Sequence, residues 1–481
     1  MVNLLFLKPL KGHLMEFNTV TPSFIHQLTE IVGEQYVLYD NDAFERYGHD
    51  ETEDYLFYPE LVVLPRTPKE ISAILKICNQ ENIPLTPRGG GTGLSGGALP
   101  VNKGILLSME RFNQILEIDE KNLQATVEPG VITQVFQEAV QEKGLFYPPD
   151  PASKGSCFIG GNLAENSGGP KAVKYGVTSD YVLNLEVVLP TGEVIWTGAN
   201  VLKNSTGYNL TQLLVGSEGT LGIITKVVFK LLPYPQHDLL MLVPFYTAEE
   251  ACKAVSEIFK AGIIPSGMEF MERDALLWGA EYINDNSITI SDNIQAHLLI
   301  EVDGNDKELL YKECETIYQV LDNFECDEIL FAEDAAQKEK LWKIRRVVGE
   351  AVKAKSIYKE EDTVVPRAAL PVLLKGVKSI GEKYGFKSVC YGHAGDGNLH
   401  VNIIKDKMSD EDWKNKLPVG IREIFELCVQ LKGTISGEHG IGYVQKSYMD
   451  IPFSEVTLNL QKAIKSNFDP KGILNPGKIF E

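Results

Sequence analysis

Three of the eight histidines in this 481-residue chain sit in two short, glycine-flanked stretches that also carry acidic side chains. The first is Tyr391-Gly-His393-Ala-Gly-Asp396-Gly-Asn-Leu-His400-Val-Asn402, and the second is Ser436-Gly437-Glu438-His439-Gly440-Ile-Gly442. His393 and His400 are seven residues apart with Gly-Asp-Gly between them, which predicts a turn and a strand rather than one helix face. Two imidazoles and a carboxylate are the donor types of an open catalytic zinc or manganese site. A histidine pKa near operating pH also suits proton transfer. A lone histidine is more often a satisfied core or surface residue, but three within two compact motifs ask for a chemical reason.

A second feature lies some 300 residues earlier. Pro87-Arg88-Gly89-Gly90-Gly91-Thr92-Gly93-Leu94-Ser95-Gly96-Gly97-Ala98-Leu99-Pro100 has six glycines in nine positions. Such a run is poor helix or strand, yet it lets backbone N–H groups converge on a bound group such as a phosphate. Gly91, Gly93 and Gly96 satisfy a G-x-G-x-x-G pattern, but a dinucleotide fingerprint must open a helix. Here the chain continues through Ala98-Leu-Pro-Val-Asn-Lys-Gly104 into strand-like Ile105-Leu-Leu-Ser108. The loop is therefore expected to hold a pyrophosphate between strands. A second dense stretch, 149–170, carries the pairs Gly160-Gly161 and Gly168-Gly169 around a short Asn-Leu-Ala-Glu-Asn-Ser turn. A third, Gly216-Ser-Glu218-Gly219-Thr-Leu-Gly222-Ile223, runs into a strand.

The secondary structure around these residues is legible in part. Residues 22–50 read as a helical segment plus linker. Leu61-Val-Val-Leu64 reads as a buried strand; Thr67-Pro-Lys-Glu70 is a capping box with proline at the first helical position. Ile71, Ile74, Leu75 and Cys78 follow at helical spacing, and Ile83-Pro-Leu85 returns as a strand, making a β-α-β unit. Ile115-Leu-Glu-Ile118 pairs with Ala125-Thr-Val127 as a hairpin, and Ile132, Val135, Phe136 and Ala139 mark an amphipathic helix. Residues 183–189 and 193–196 form another hairpin. The composition changes near Pro233-Tyr-Pro235, and 239–332 reads strand, helix, strand twice over: a ferredoxin-like sheet covered by helices.

The whole chain sets outer limits. Its 46 basic and 66 acidic residues leave a net charge of −20, which argues against a nucleic-acid surface. Seven scattered cysteines with no C-x-x-C pair argue against a disulfide framework or an iron–sulfur site and fit reduced thiols in the cytoplasm. No apolar run approaches membrane-spanning length, and the opening Met1-Val-Asn-Leu-Leu-Phe-Leu is too short for a signal core; Met15 is an alternative start.

Taken together, the three glycine stretches and the two histidine motifs, with Asn475-Pro-Gly477-Lys478 near the end, resemble the FAD-linked oxidases of the vanillyl-alcohol-oxidase type. The likeness runs from about residue 50 to the end and is to the branch of the glycolate oxidase flavin subunit, D-lactate dehydrogenase and D-2-hydroxyglutarate dehydrogenase. It implies an α+β fold: a two-subdomain FAD-binding domain over 51–233, a substrate or cap domain over 234–430, and a segment 431–481 returning to the flavin, after an N-terminal segment 1–50. It implies FAD bound by Pro87, Arg88, Gly89, Gly90, Gly91, Thr92, Gly93, Pro151, Gly155, Gly160, Gly161, Asn166, Gly168, Gly169, Tyr175, Gly176, Glu218, Gly222, Ile223 and Asn475. With no histidine between His49 and His237, attachment through a family-type histidine is excluded and FAD is expected to be noncovalent.

The same resemblance makes His393, His400 and Glu438 ligands of a divalent metal, zinc or manganese, and His439 the base that takes a substrate hydroxyl proton. Arg345, in Leu341-Trp-Lys-Ile-Arg345, would clamp a substrate carboxylate, and Asn402 would contact the substrate. The implied reaction is oxidation of a small D-2-hydroxy acid to the 2-oxo acid. Two positions depart from relatives that use dicarboxylates. Gly349 replaces a hydroxyl residue, and Glu360 stands where a lysine is expected, with Lys359 one position off. Both favour D-lactate or glycolate over D-2-hydroxyglutarate. A non-redox enzyme like alkylglycerone-phosphate synthase is the competing reading. Electrons would leave to a separate acceptor: an Fe–S subunit, an electron-transfer flavoprotein, a quinone or a cytochrome. A homodimer is expected, in the cytoplasm or peripheral at the inner membrane face.

Overall fold

Leu61–Val63, the helix Pro68–Glu81 and Leu85–Arg88 form the β-α-β unit that the sequence predicts, in a computed structural model that describes residues 16–53, 55–285, 290–332 and 334–480. The opening segment with Met1 and Met15 lies outside the described residues. Thr67 Oγ1 accepts the Glu70 N–H at 3.2 Å, and Glu70 Oε2 accepts the Arg66 N–H at 2.6 Å, so the first turn is closed by side chains. Ile71, Ile74, Leu75 and Cys78 are fully buried. The sheet runs Val37–Leu38, Leu61–Val63, Ile105–Ser108, Leu85–Arg88, the last three parallel. Here the structure adds to the reading of 22–50, since Val37–Leu38 joins this sheet as an antiparallel edge strand between the helices Pro22–Val32 and Asn41–Tyr47.

After Arg88 the glycine loop crosses to Ile105–Ser108 without forming a helix. A five-stranded antiparallel sheet follows, ordered Ile115–Asp119, Gln124–Val127, Ile223–Lys230, Val182–Val188, Val194–Trp196. Both expected hairpins lie in it. Two local expectations need correction. The segment read as a turn between the glycine pairs is a helix, Ile159–Glu165, closed by Asn166 in the left-handed conformation. Burial of Ile159, Asn162 and Leu163 overrides the poor helix propensity of Gly160 and Gly161. In the helix Thr133–Gln141 the buried stripe is Thr133, Phe136 and Val140, whereas Val135 is exposed.

The C-terminal half is one seven-stranded antiparallel sheet: Leu330–Ala332, His237–Phe245, Ala296–Gly304, Gly267–Glu272, Lys387–Gly392, Asn398–Ile404, Tyr358–Val364. The first four have the ferredoxin-like order, and the last three extend it. Helices Ala248–Lys260, Lys307–Leu321, Leu370–Tyr384 and Leu417–Gln430 share a core with one face, while Arg273–Tyr282, Ala335–Arg346 and Val348–Lys355 cover the other. Ion pairs to buried carboxylates join the halves. Lys171 reaches Glu301, Lys174 Nζ lies 2.7 Å from Asp303 Oδ1, and the Tyr175 hydroxyl donates to Asp303 at 2.8 Å. At the end of the chain, Leu474 bridges to Leu85, so the C-terminal segment packs beside the root of the glycine loop.

Candidate active site

A cavity of about 430 Å³ opens between the two halves. One wall is made by the three glycine stretches, the other by residues of the cap sheet and its helices. Of the residues expected to hold FAD, Pro87, Arg88, Gly89, Gly90, Gly91, Thr92, Gly93, Pro151, Gly160, Gly161, Glu218, Gly222 and Ile223 line it. Among the described residues no acceptor takes the backbone N–H of Gly89, Gly90, Gly91, Thr92 or Gly93. A run of unspent N–H groups on a cavity wall fits the oxygens of a pyrophosphate. Gly161 adds a second observation: a Cβ there would meet nothing within 4 Å, so protein packing does not demand glycine, but a bound group would. Gly90 differs, because its Cβ would come 2.7 Å from the Ser156 carbonyl oxygen.

Gly155, Asn166, Gly168, Gly169, Tyr175, Gly176 and Asn475 stand off the cavity. Several have other work. Tyr175 is spent on Asp303, and Asn166 Oδ1 accepts the Ser179 N–H at 2.8 Å. Asn475 Nδ2 donates to the carbonyls of Gly97 (3.0 Å) and Glu218 (2.8 Å), tying two glycine stretches together. A Cβ on Gly168 would lie 2.9 Å from Glu438 Oε2, so this glycine makes room for the cap carboxylate.

The histidine motifs meet at the opposite wall. His393 follows the strand Lys387–Gly392, and His400 lies in the neighbouring strand Asn398–Ile404, as the spacing predicts. The loop 436–442 brings Glu438 and His439 onto them. Glu438 Oε1 is 3.1 Å from His393 Nε2 and 3.6 Å from His400 Nε2. His393, His400 and Glu438 can each direct a ligand atom into a volume where those atoms lie within 4.8 Å of one another. Glu360, His400 and His439 form a second such group that shares His400. The His400 and His439 rings stack at 5.2 Å with 13° between planes. Arg345 lines the cavity and is paired at 2.6 Å with Glu269. Asn402 is buried two residues beyond His400, with no hydrogen bond to either amide atom among the described residues, and does not line the cavity.

Sequence reasoning missed Glu269 and Asp362 behind this wall and did not place Glu360 beside the histidines. Glu269, on the strand Gly267–Glu272, accepts from His393 Nδ1 at 2.8 and 2.9 Å. That contact turns the ring so that Nε2 faces Glu438, the arrangement by which outer carboxylates orient histidine ligands. Glu360 and Asp362 both face His400 Nδ1 at 3.6 Å. Glu165, on the glycine side, lines the cavity as well. The only sequence signal for Glu269 is an acidic residue within an otherwise apolar strand centre.

This crowding separates the proton affinities. Burial pushes His400 down to about 3, with Asp362 opposing. Burial acts the same way on His439, but Asp362, Glu360, Glu438 and Glu165 outweigh it and raise the imidazole to about 9. His393 is raised well above its ordinary value because Glu269 and Glu438 overcome burial. Burial disfavours the Glu438 carboxylate too, yet His393 brings it down to about 2. Burial lifts Glu165 to about 8 and Glu360 to about 7. This many buried carboxylates around the imidazoles suit a divalent cation, which would take the place of the imidazole proton at His393.

Comparison with known proteins identifies the two halves of the chain. Residues 59–198 match the FAD binding domain family, and residues 234–479 match the family described as FAD linked oxidases, C-terminal domain. The chain is 40% identical to the glycolate oxidase subunit GlcD of Bacillus subtilis, covering 96% of this chain and 97% of that one. It is 36% identical to a D-lactate dehydrogenase of Anaerostipes hadrus (96% and 98% covered) and 33% identical to a D-2-hydroxyglutarate dehydrogenase of Stutzerimonas stutzeri (95% and 99%). In fold it is similar to p-cresol methylhydroxylase, with a TM-score of 0.77 at 18% identity over 95% of this chain and 96% of that one. Alkyldihydroxyacetonephosphate synthase gives a TM-score of 0.74 at 20% identity over 96% and 86%. With both domain matches in order and near full-length relatives above 30% identity, the chain belongs to the FAD-linked oxidase family and is an FAD-dependent oxidoreductase.

Proposed function

We propose that this protein oxidises a small D-2-hydroxy acid, D-lactate or glycolate, to the corresponding 2-oxo acid and passes the electrons to a separate acceptor. The observation that carries the reading is that His393, His400, Glu438, His439 and Arg345 line the same cavity as the glycine wall. The relatives named for glycolate, D-lactate and D-2-hydroxyglutarate share the chemistry of a secondary or primary alcohol beside a carboxylate. When bound, FAD supplies the hydride acceptor and a divalent ion supplies Lewis acidity toward the substrate hydroxyl.

The chain's own residues divide the remaining work. The N–H groups of Gly89–Gly93 and the open face of Gly161 hold the cofactor. His393, His400 and Glu438 hold the ion, with Glu269 keeping the His393 proton on Nδ1. Arg345 pairs with the substrate carboxylate, while Asn402, expected to contact the substrate, lies off the cavity beside Tyr391 and supports the wall instead. His439 takes the hydroxyl proton onto its imidazole. The carboxylates that raise His439 are the ones a bound cation would neutralise, and with it in place the ring would favour its base form. Glu360 in the cavity wall disfavours a second substrate carboxylate, while Lys359 sits beside Tyr55 and does not line the cavity. A Cβ added at Gly349 would lie 3.2 Å from the Tyr391 hydroxyl oxygen, so a larger residue there would crowd Tyr391.

Anaerobic mixing of the metal-replete flavoprotein with D-lactate, glycolate and D-2-hydroxyglutarate tests the reading. Bleaching of the flavin spectrum by a monoacid, faster than by the dicarboxylate, is expected. No bleaching by any 2-hydroxy acid overturns it and would favour non-redox chemistry on the fold shared with alkyldihydroxyacetonephosphate synthase.

A further inference from the structure

The loop 436–442 carries Glu438 and His439 but belongs to no helix or strand. Two buried carboxylates hold it from opposite sides. From the cap, Asp362 Oδ2 accepts the Ser436 hydroxyl at 3.1 Å and the N–H groups of Gly437 (2.7 Å), Glu438 (2.7 Å) and His439 (3.0 Å). From the cofactor domain, Glu218 Oε1 accepts the Ile441 N–H at 2.8 Å and Oε2 accepts the Gly442 N–H at 2.7 Å. Between the two grips lies Gly440, at φ 77°.

Glu218 is itself held in an unusual way. Its φ is 51°, a left-handed backbone that non-glycine residues seldom adopt. The conformation is secured by its N–H on the Ala164 carbonyl (2.8 Å) and by Asn475 Nδ2 on its own carbonyl (2.8 Å). Although the residue lines the cavity, both carboxylate oxygens are engaged by the loop. Asp362 ties the first half of the loop to the sheet that bears His400. The Ser95 carbonyl also holds this second half, accepting the Tyr443 (2.8 Å) and Val444 (3.2 Å) N–H groups, and the Gly442 carbonyl accepts the Ile479 N–H at 2.8 Å. Loss of the Glu218 carboxylate would leave the Ile441 and Gly442 N–H groups unpaired beside Gly440, and the loop would resettle there, next to His439 and Glu438.

We propose that Glu218 is a positioning residue through which the cofactor domain sets the place of Glu438 and His439, so that divalent-cation affinity at His393, His400 and Glu438 depends on a side chain that touches none of them. This rests on the metal reading given above. The test is a Mn2+ titration, followed by the electron paramagnetic resonance of the free ion, on full-length protein in saturating FAD. Glu218→Gln keeps the size of the side chain but offers one acceptor and one donor to two N–H groups. The expected result is Mn2+ binding weakened by about tenfold or more, as for other residues that orient metal ligands, with flavin content unchanged. Glu218→Asp keeps the charge and shortens the reach; it carries the same expectation if the first variant fails to fold. Affinity within twofold of wild type in the folded variant overturns the assignment, as does loss of flavin with unchanged Mn2+ affinity, which would make Glu218 a cofactor ligand. If wild-type protein binds no Mn2+, the metal reading falls and this proposal with it.

Discussion

The two walls of the cavity are built on opposite principles. The glycine wall works by subtraction: side chains are absent, backbone N–H groups are left unspent, and close approaches such as Gly90 against Ser156 are the limiting contacts. The cap wall works by crowding. His393, His400, His439, Glu269, Glu360, Asp362 and Glu438 are packed so closely that each one's charge depends on its neighbours. Changes to the first wall should therefore act through shape and show up in cofactor binding. Changes to the second should act through charge and position and show up in chemistry and metal affinity.

The largest effect is expected at the base. His439→Ala should keep FAD and metal yet slow flavin reduction by about 10²–10⁴-fold, the usual worth of a positioned general base. Stopped-flow absorbance reads this directly, and unchanged reduction would place the base elsewhere. Next comes Glu269→Gln, which removes the carboxylate shared by Arg345 and His393. Metal affinity should fall roughly 10–100-fold while flavin content stays full, measured by metal titration of the holoprotein.

On the glycine wall the effects are smaller and of another kind. Gly90→Ala would force a backbone shift against Ser156, at about 1–3 kcal/mol in denaturant unfolding, with metal binding intact. Gly161→Ala sharpens the contrast. In an open helical position the alanine should stabilise the folded apoprotein by about 0.5–1 kcal/mol, yet weaken FAD binding because its methyl group enters the cavity. Gain of stability with unchanged FAD affinity would mean that no cofactor passes close to Gly161.

The finest test uses pH. In metal-free protein His439 binds its proton up to about 9 when folded, against an ordinary 6.5. Its contribution to stability is therefore complete below 6.5 and lost as pH rises through 9. The stability difference between wild type and His439→Ala should fall across that window, and a difference that stays flat would remove the charge argument for the cap wall.

Much of this architecture was readable beforehand because it depends on local chemistry. The Thr67–Glu70 box, the apolar helix stripe behind it and the failure of the glycine loop to open a helix are all decided by neighbouring residues. So is the turn-then-strand placement of His393 and His400. The helix Ile159–Glu165 was not readable, because its glycines argue against a helix and only burial of Ile159 and Leu163 reverses them. Val37–Leu38 was missed for the same reason: two residues become a strand only when Leu61–Val63 lies beside them.

The residue types at the site were legible in the chain: glycine stretches for one wall, and histidines and a glutamate in compact motifs for the other. These choices are local, since spacing and backbone freedom act over a few residues. Which carboxylates govern those histidines follows from the folded chain alone. Glu269 is 124 residues from His393, and Glu218 is 223 residues from Ile441. An isolated glutamate within a strand or turn carries no local mark of its partner. It acquires one when the sheet register and the docking of the two halves bring buried donors within reach of its oxygens, where leaving either side unpaired would cost too much to be tolerated.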